Sequence, residues 1–215
     1  MSSYGAVPPR RRPDPLIDIV LCPTTGQPLP SVRTPAARED APAEPARGTV
    51  ASRSRSAILD GARAAVLANG TSITMAQIAA RAGVAKATLY NHFRAREDVL
   101  AELLLAEIDQ LIASVAHLPL PVALSQAAVA ISEHPLLEAL GAHDGAALAV
   151  LARVDVRSAG WGRVAQATER LLARRGRRGT PTVLRWLASF VLAPADSDDI
   201  AADVSVLVAG LPPSR

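Results

Sequence analysis

The chain has 215 residues, 49% of them hydrophobic but only 3% aromatic, with a net charge of +3 and one cysteine. Its length admits one large domain or two small ones around an aliphatic core, and its wealth of Ala and Leu favours helix. The single Cys22 excludes an intrachain disulfide and argues against a thiolate zinc site; no run approaches the ~20 apolar residues of a bilayer span, so a cytoplasmic protein with no membrane partner is expected.

The charge is unevenly placed. The first 100 residues carry 13 Lys and Arg against 8 Asp and Glu, and the remainder 10 against 12. An anionic partner is therefore expected for the first half only.

Residues 1–52 hold more than half of the prolines and show no sustained periodicity, which reads as a disordered or extended arm. "RRRPDPLIDIVLCP" is too short, too broken by Asp18 and too poor in small residues for a secretory signal. "PLIDIVLC" has strand-type residues, but a transiently ordered apolar patch is the simpler reading. The arm and the residues just after it carry Arg10, Arg11, Arg12, Arg33, Arg38, Arg47, Arg53 and Arg55 and no lysine. Arginine suits narrow minor grooves, so Arg53 and Arg55, with Arg47 behind them, are candidate contacts to flanking DNA. Five acids in the same arm dilute its field, and a solvated tail is the competing reading.

Helical patterning begins at Ser54. Ile58, Leu59, Ala62, Ala65 and Val66 form an amphipathic stripe that stops at Asn69–Gly70. Thr74 with Gln77 three residues on is a capping box, so a second helix is expected from there to Gly83. A third should cover Ala85 to His92. A fourth, from about Arg96, keeps Leu100, Leu104, Ile108, Leu111 and Val115 on one face until Pro119 and Pro121. Six further segments read as helices: "LPVALSQAAVAISE", "PLLEAL" behind Pro135, "GAALAVLARV", "GWGRVAQATERLLARR", "TPTVLRWLASFVL" with Thr180 as cap, and "DSDDIAADVSVLVAGL" with acids at its positive end. The fold class is all-α. The expected organisation is an arm over 1–52, a three-helix unit over 53–100 and a helical bundle over 101–215.

The third helix is informative. With Leu89 at the centre of its buried face, Phe93 and Ala85 share that side, while Ala87 and Asn91 point directly away at 100° per residue. Thr88 and Tyr90 lie on the flanks and Lys86 at the N-terminal end. Two apolar anchors thus support a narrow polar ridge with an amide at its crest. Reading DNA asks for this division: rim groups hold phosphates and the crest meets base edges in the major groove. Gly83 permits the tight turn from the second helix, so the pair reads as a helix-turn-helix whose second member enters DNA.

Residues 54–111 resemble the N-terminal DNA-binding domain of the TetR family of transcriptional regulators, through "AILDGARAAVLANG", "TMAQIAARAGVAKATLYNHF" and "RAREDVL". The resemblance implies a homodimer, a long fourth helix, and an all-helical domain for a small-molecule ligand. It also implies a phosphate contact for Thr74, and phosphate or groove-edge contacts for Lys86, Thr88, Tyr90 and His92. Ala87 and Asn91 become the base-facing crest, and Arg96 stands where the family usually has a phosphate-holding lysine. Tyr90 has a second reading as a packed surface aromatic, and His92 as a capping residue. Two departures are Ala85, often serine in the family, and Ala87, often glycine; the Ala87 methyl suits a thymine methyl. The segments around 158–176 and 180–192 are implied at a dimer interface, with a pocket among the helices from about 100 to 175.

Other candidates are weaker. Arg174, Arg175, Arg177 and Arg178 read as a solvated loop or partner contact, and Arg63 and Arg81 as solvated. His117, His134, His143, Glu138 and Asp144 lack the i, i+4 pairing and thiols of a metal site. Trp161, Trp186 and Phe190 read as core or interface. No nucleophile elbow, phosphate loop or "HExxH" argues for an enzyme, and no cofactor is expected. The reading is a DNA-binding regulator, a repressor released by a small apolar ligand; the rival is one controlled by a protein partner.

Overall fold

The computed structural model describes residues 47–214; the apolar segment "PLIDIVLC" and the arm through residue 46 lie outside the described residues. Ten helices run in chain order: α1 Arg47–Asn69, α2 Met75–Ala82, α3 Lys86–His92, α4 Arg96–Val115, α5 Leu120–Ser132, α6 Pro135–His143, α7 Gly145–Leu151, α8 Ala159–Ala173, α9 Thr180–Leu192 and α10 Ser197–Gly210. Helix α1 begins seven residues ahead of Ser54, inside the stretch assigned to the arm. No proline follows Pro45 before Asn69, so nothing in the covalent chain stops the helix extending backwards.

The local signals act as their chemistry dictates. At the start of α2 the Thr74 hydroxyl accepts from Gln77 N (3.2 Å) while Gln77 Oε1 accepts from Thr74 N (2.8 Å), a reciprocal capping box. Gly83 ends α2 at φ +65°, and Val84 N donates to Ala79 O (3.1 Å). Asp98 reaches back to Ala95 N (3.0 Å) at the head of α4. Asp196 accepts from the amides of Asp198 and Asp199 at the head of α10. One cap differs from expectation. Thr180 is the first residue of α9, not its cap; the cap is Gly179 at φ +125°, where a Cβ would meet Leu211.

Two apolar cores form. The first joins Ile58, Ala62, Ile73, Ile78, Leu89, Phe93, Val99 and Leu103 to Leu136, Leu140 and Ala147. The second gathers Leu120, Leu124 and Ala128 with Leu172, Val183, Leu187, Phe190, Ile200 and Leu211. Residue 100, the expected boundary, lies within α4, and the first core includes residues on both sides of it. Helices α6 and α7 are packed with the three-helix unit because α1 lies directly against α6.

The arginine run after α8 is largely exposed, as its composition suggests, and is also tied to the C-terminal segment. Arg177 pairs with Pro213 in an isolated antiparallel bridge, Arg178 N donates to Pro212 O (2.8 Å) and Ser214 N to Gly176 O (2.8 Å). Arg177 Nη1 caps Leu211 O (2.6 Å), and Arg174 Nη1 reaches Ala116 O (2.7 Å) at the end of α4. Carbonyls left open at helix ends draw in these donors. Among the described residues no helix is long and apolar enough to cross a membrane.

Candidate functional site

Helix α3 has only seven residues and needs tertiary anchors to persist. Leu89 is fully buried and Phe93 nearly so. Opposite them, Lys86, Ala87, Tyr90 and Asn91 are exposed, with Thr88 and His92 half-buried. Tyr90 is 54% exposed. Thr74 is exposed as well. Ala85, expected on the buried side with Leu89, is exposed, because as N-cap it takes up extended backbone (φ −65°, ψ 146°) and leaves the helical wheel.

What holds α3 in place is the crossing of α1 and α2. Gly61 is buried, and a Cβ there would lie 2.6 Å from the backbone nitrogen of Ala82. Sequence reasoning passed over Gly61; a glycine in the middle of a good helix costs about 1 kcal/mol against alanine, and that anomaly is the signal of close approach.

Two of the expected DNA-contacting arginines are engaged within the chain. Arg55 donates from Nε and Nη2 to the two carboxylate oxygens of Glu102 on α4, and its guanidinium stands 5.0 Å from the centroid of the Phe93 ring. Arg96 Nη1 donates to Thr71 O (3.1 Å) and Ile73 O (3.2 Å), and its Nε and Nη2 to Glu97. These guanidiniums close the α1–α4 seam and the α1–α2 turn. Arg53 remains exposed on α1. Arg63, expected to be solvated, is ion-paired with Glu107 of α4.

The α1–α2 turn is tied to the bundle by a second link. Buried Thr71 donates its hydroxyl to Asp144 Oδ2, and Asp144 Oδ1 accepts from Ala147 N (3.1 Å) as the cap of α7. Among the described residues no three potential metal ligands come together.

Behind this seam lies a cavity of about 500 Å³. Its wall is mainly aliphatic: Leu100, Leu104, Ile108, Leu111 and Val115 of α4, Leu124 and Ala127 of α5, Leu137 of α6, and Val164 and Leu171 of α8. Trp161, expected in the core or an interface, is part of this wall, held by its Nε1 donating to Leu151 O (3.1 Å). Trp186 and Phe190 pack edge to face, 4.9 Å apart, with Phe190 in the second core and Trp186 against it.

A buried two-point anchor, an exposed polar crest and a glycine-turned entry define a helix-turn-helix of DNA-binding type. Residues 58–103 match the family model of the bacterial regulatory proteins of the tetR family. That match falls within residues 54–111 and spans the helix-turn-helix, so this stretch is similar to the DNA-binding domain of that family. No curated protein matches it. Solved structures similar to it include the fatty acid degradation regulator FadR from Bacillus halodurans, at 18% identity over 72% of this chain and 97% of that one, TM-score 0.48. Others are a gamma-butyrolactone receptor (ArpA-like protein), at 20% identity over 77% and 90%, TM-score 0.44, and a TetR-like transcriptional regulator from Rhodococcus sp. RHA1, at 19% over 73% and 96%, TM-score 0.38.

Proposed function

We propose that this regulator is a homodimeric repressor that binds operator DNA through α3 and is released by a small, largely apolar molecule held in the cavity behind α4. The single observation carrying the reading is that α4 serves both sites. Its first turns complete the core under α3, and its later turns line the aliphatic cavity. On the reading face, Asn91 and Ala87 meet base edges, while Thr74, Lys86, Thr88, Tyr90 and His92 meet phosphates or the groove edge. Among the described side chains of α1, Arg53 is exposed and is the arginine we assign to flanking DNA; the side chain of Arg47 lies outside the described residues. The segments around α8 and α9 are those that the family resemblance implies at the dimer interface. Two-fold symmetry then sets the half-sites about 34 Å apart or a multiple of it.

The rival, control by a protein partner in place of a ligand, expects the bundle to be filled. An aliphatic cavity of this size, within the range of about 300–1,000 Å³ typical of small-molecule sites, favours the ligand. The test is fluorescence anisotropy of the full chain on the DNA upstream of its own gene, over a range of salt, beside an Asn91→Ala variant. Specific binding that the variant loses supports the reading. Equal binding of both proteins to operator and random duplex overturns the assignment of α3 as reader.

A further inference from the structure

The cavity wall contains few polar groups, and nearly all are engaged within the protein. Thr71 donates to Asp144, Thr168 to Val164 O (2.8 Å) and Ser158 to Asp155 O (2.7 Å). Trp161 and Arg174 donate to backbone carbonyls. Two groups are the exceptions, for Glu107 Oε1 and His134 Nδ1 are both buried without a hydrogen-bond partner. Glu107 is the one carboxylate in the wall among the described residues, and its side chain is only 10% exposed. Arg63 of α1 stands against Oε1 as an ion pair, yet this buried oxygen receives no aligned hydrogen bond. His134 Nε2 lies 3.4 Å from Oε2. A carboxylate offers about four acceptor sites, and a buried acceptor left short of donors carries a free-energy cost that a ligand can relieve.

Resting on the reading of this cavity as the ligand site, we propose that Glu107 is its polar anchor. The ligand then carries a hydrogen-bond donor, a hydroxyl or an ammonium, on an otherwise aliphatic skeleton, and takes the carboxylate in competition with Arg63. The elongated wall sets the skeleton. It follows α4 from Leu100 to Ala116, ~24 Å of helix at about 1.5 Å per residue, with Glu107 near its middle. Glu107 also supplies the link to DNA. Arg63 sits on the helix that carries α2, so a donor that draws the carboxylate into the cavity loosens the α1–α4 seam. Linkage makes this reciprocal: operator binding weakens ligand binding by the same factor.

The probes are decanol, decylamine and decyl methyl ether, which share a chain and differ in the donor, titrated into the full chain with Trp161 emission and calorimetry as readouts. Decanol and decylamine are expected to bind at least about tenfold tighter than the ether. Glu107→Gln should abolish that preference and leave ether binding as it was. Arg63→Gln should strengthen the donor probes several-fold by removing their competitor, and it decides the matter should Glu107→Gln fail to fold. Equal binding of the three probes, or a preference that survives both substitutions, overturns the role of Glu107 while keeping the cavity as a site. Entry of no probe at all overturns the cavity as a site for this ligand class and the anchor with it.

Discussion

Gly61 and Ala82 touch without a side chain between them: a Cβ on Gly61 would stand 2.6 Å from Ala82 N and 2.7 Å from Ala82 Cβ. The neighbour is backbone and cannot rotate away. Gly61→Ala is expected to force α1 and α2 apart at a cost of about 1–3 kcal/mol, read as a lower urea midpoint at unchanged slope. Gly83→Ala meets open space and bears only its left-handed backbone, about 1–2 kcal/mol. If Gly61→Ala were as stable as the parent, the close crossing would be wrong.

Leu89 and Asn91, two residues apart, should separate stability from recognition. Leu89→Ala empties a fully buried site and is expected to cost about 2–5 kcal/mol. Asn91→Ala, on the exposed crest, should change stability by less than about 0.5 kcal/mol while weakening specific binding by about 1–3 kcal/mol. Thermal unfolding beside operator titration checks both.

Salt dependence sorts the cations. Lys86→Ala should lower the slope of log affinity against log salt by about 0.9, with a similar loss on every sequence. Arg55→Ala and Arg96→Ala should leave that slope alone, since both guanidiniums serve the fold. A slope that falls with Arg55→Ala would return this residue to the DNA.

Thr71→Val removes the buried hydrogen bond to Asp144, at about 1–3 kcal/mol, and should loosen the three-helix unit from α6 and α7. Asp144→Ala should cost more, because the cap of α7 goes with it. Hydrogen exchange in the α1–α2 turn and in α7 would report the loosening at both ends.

Asp155 gives an acid-side prediction. The Arg157 side chain, with the Arg157 amide, holds its carboxyl below the usual carboxylate range. Its contribution is present at neutral pH and is lost as pH falls through the depressed value, below about pH 4. Asp155→Asn should remove that contribution at neutral pH, so that the acid limb flattens and the two proteins converge in stability at low pH.

Local chemistry was legible from the chain itself. Periodicity, the Thr74–Gln77 box, Gly83 and the prolines mark helices whose signals lie within a few residues, and Leu89, Phe93 and Asn91 fall where a helical wheel puts them. Contacts between distant segments were not legible. Arg55, Arg63 and Arg96 look like free cations in sequence, and only the packing of α1 on α4 brings carboxylates and carbonyls to them. The same holds for Trp161, whose place in a cavity wall depends on how α8 lies against α4, and for Gly61, whose purpose is the approach of Ala82. A side chain's neighbours along the helix are set by a rise of about 1.5 Å per residue. Its neighbours across the fold are set by which apolar faces close on one another, and that is decided in three dimensions.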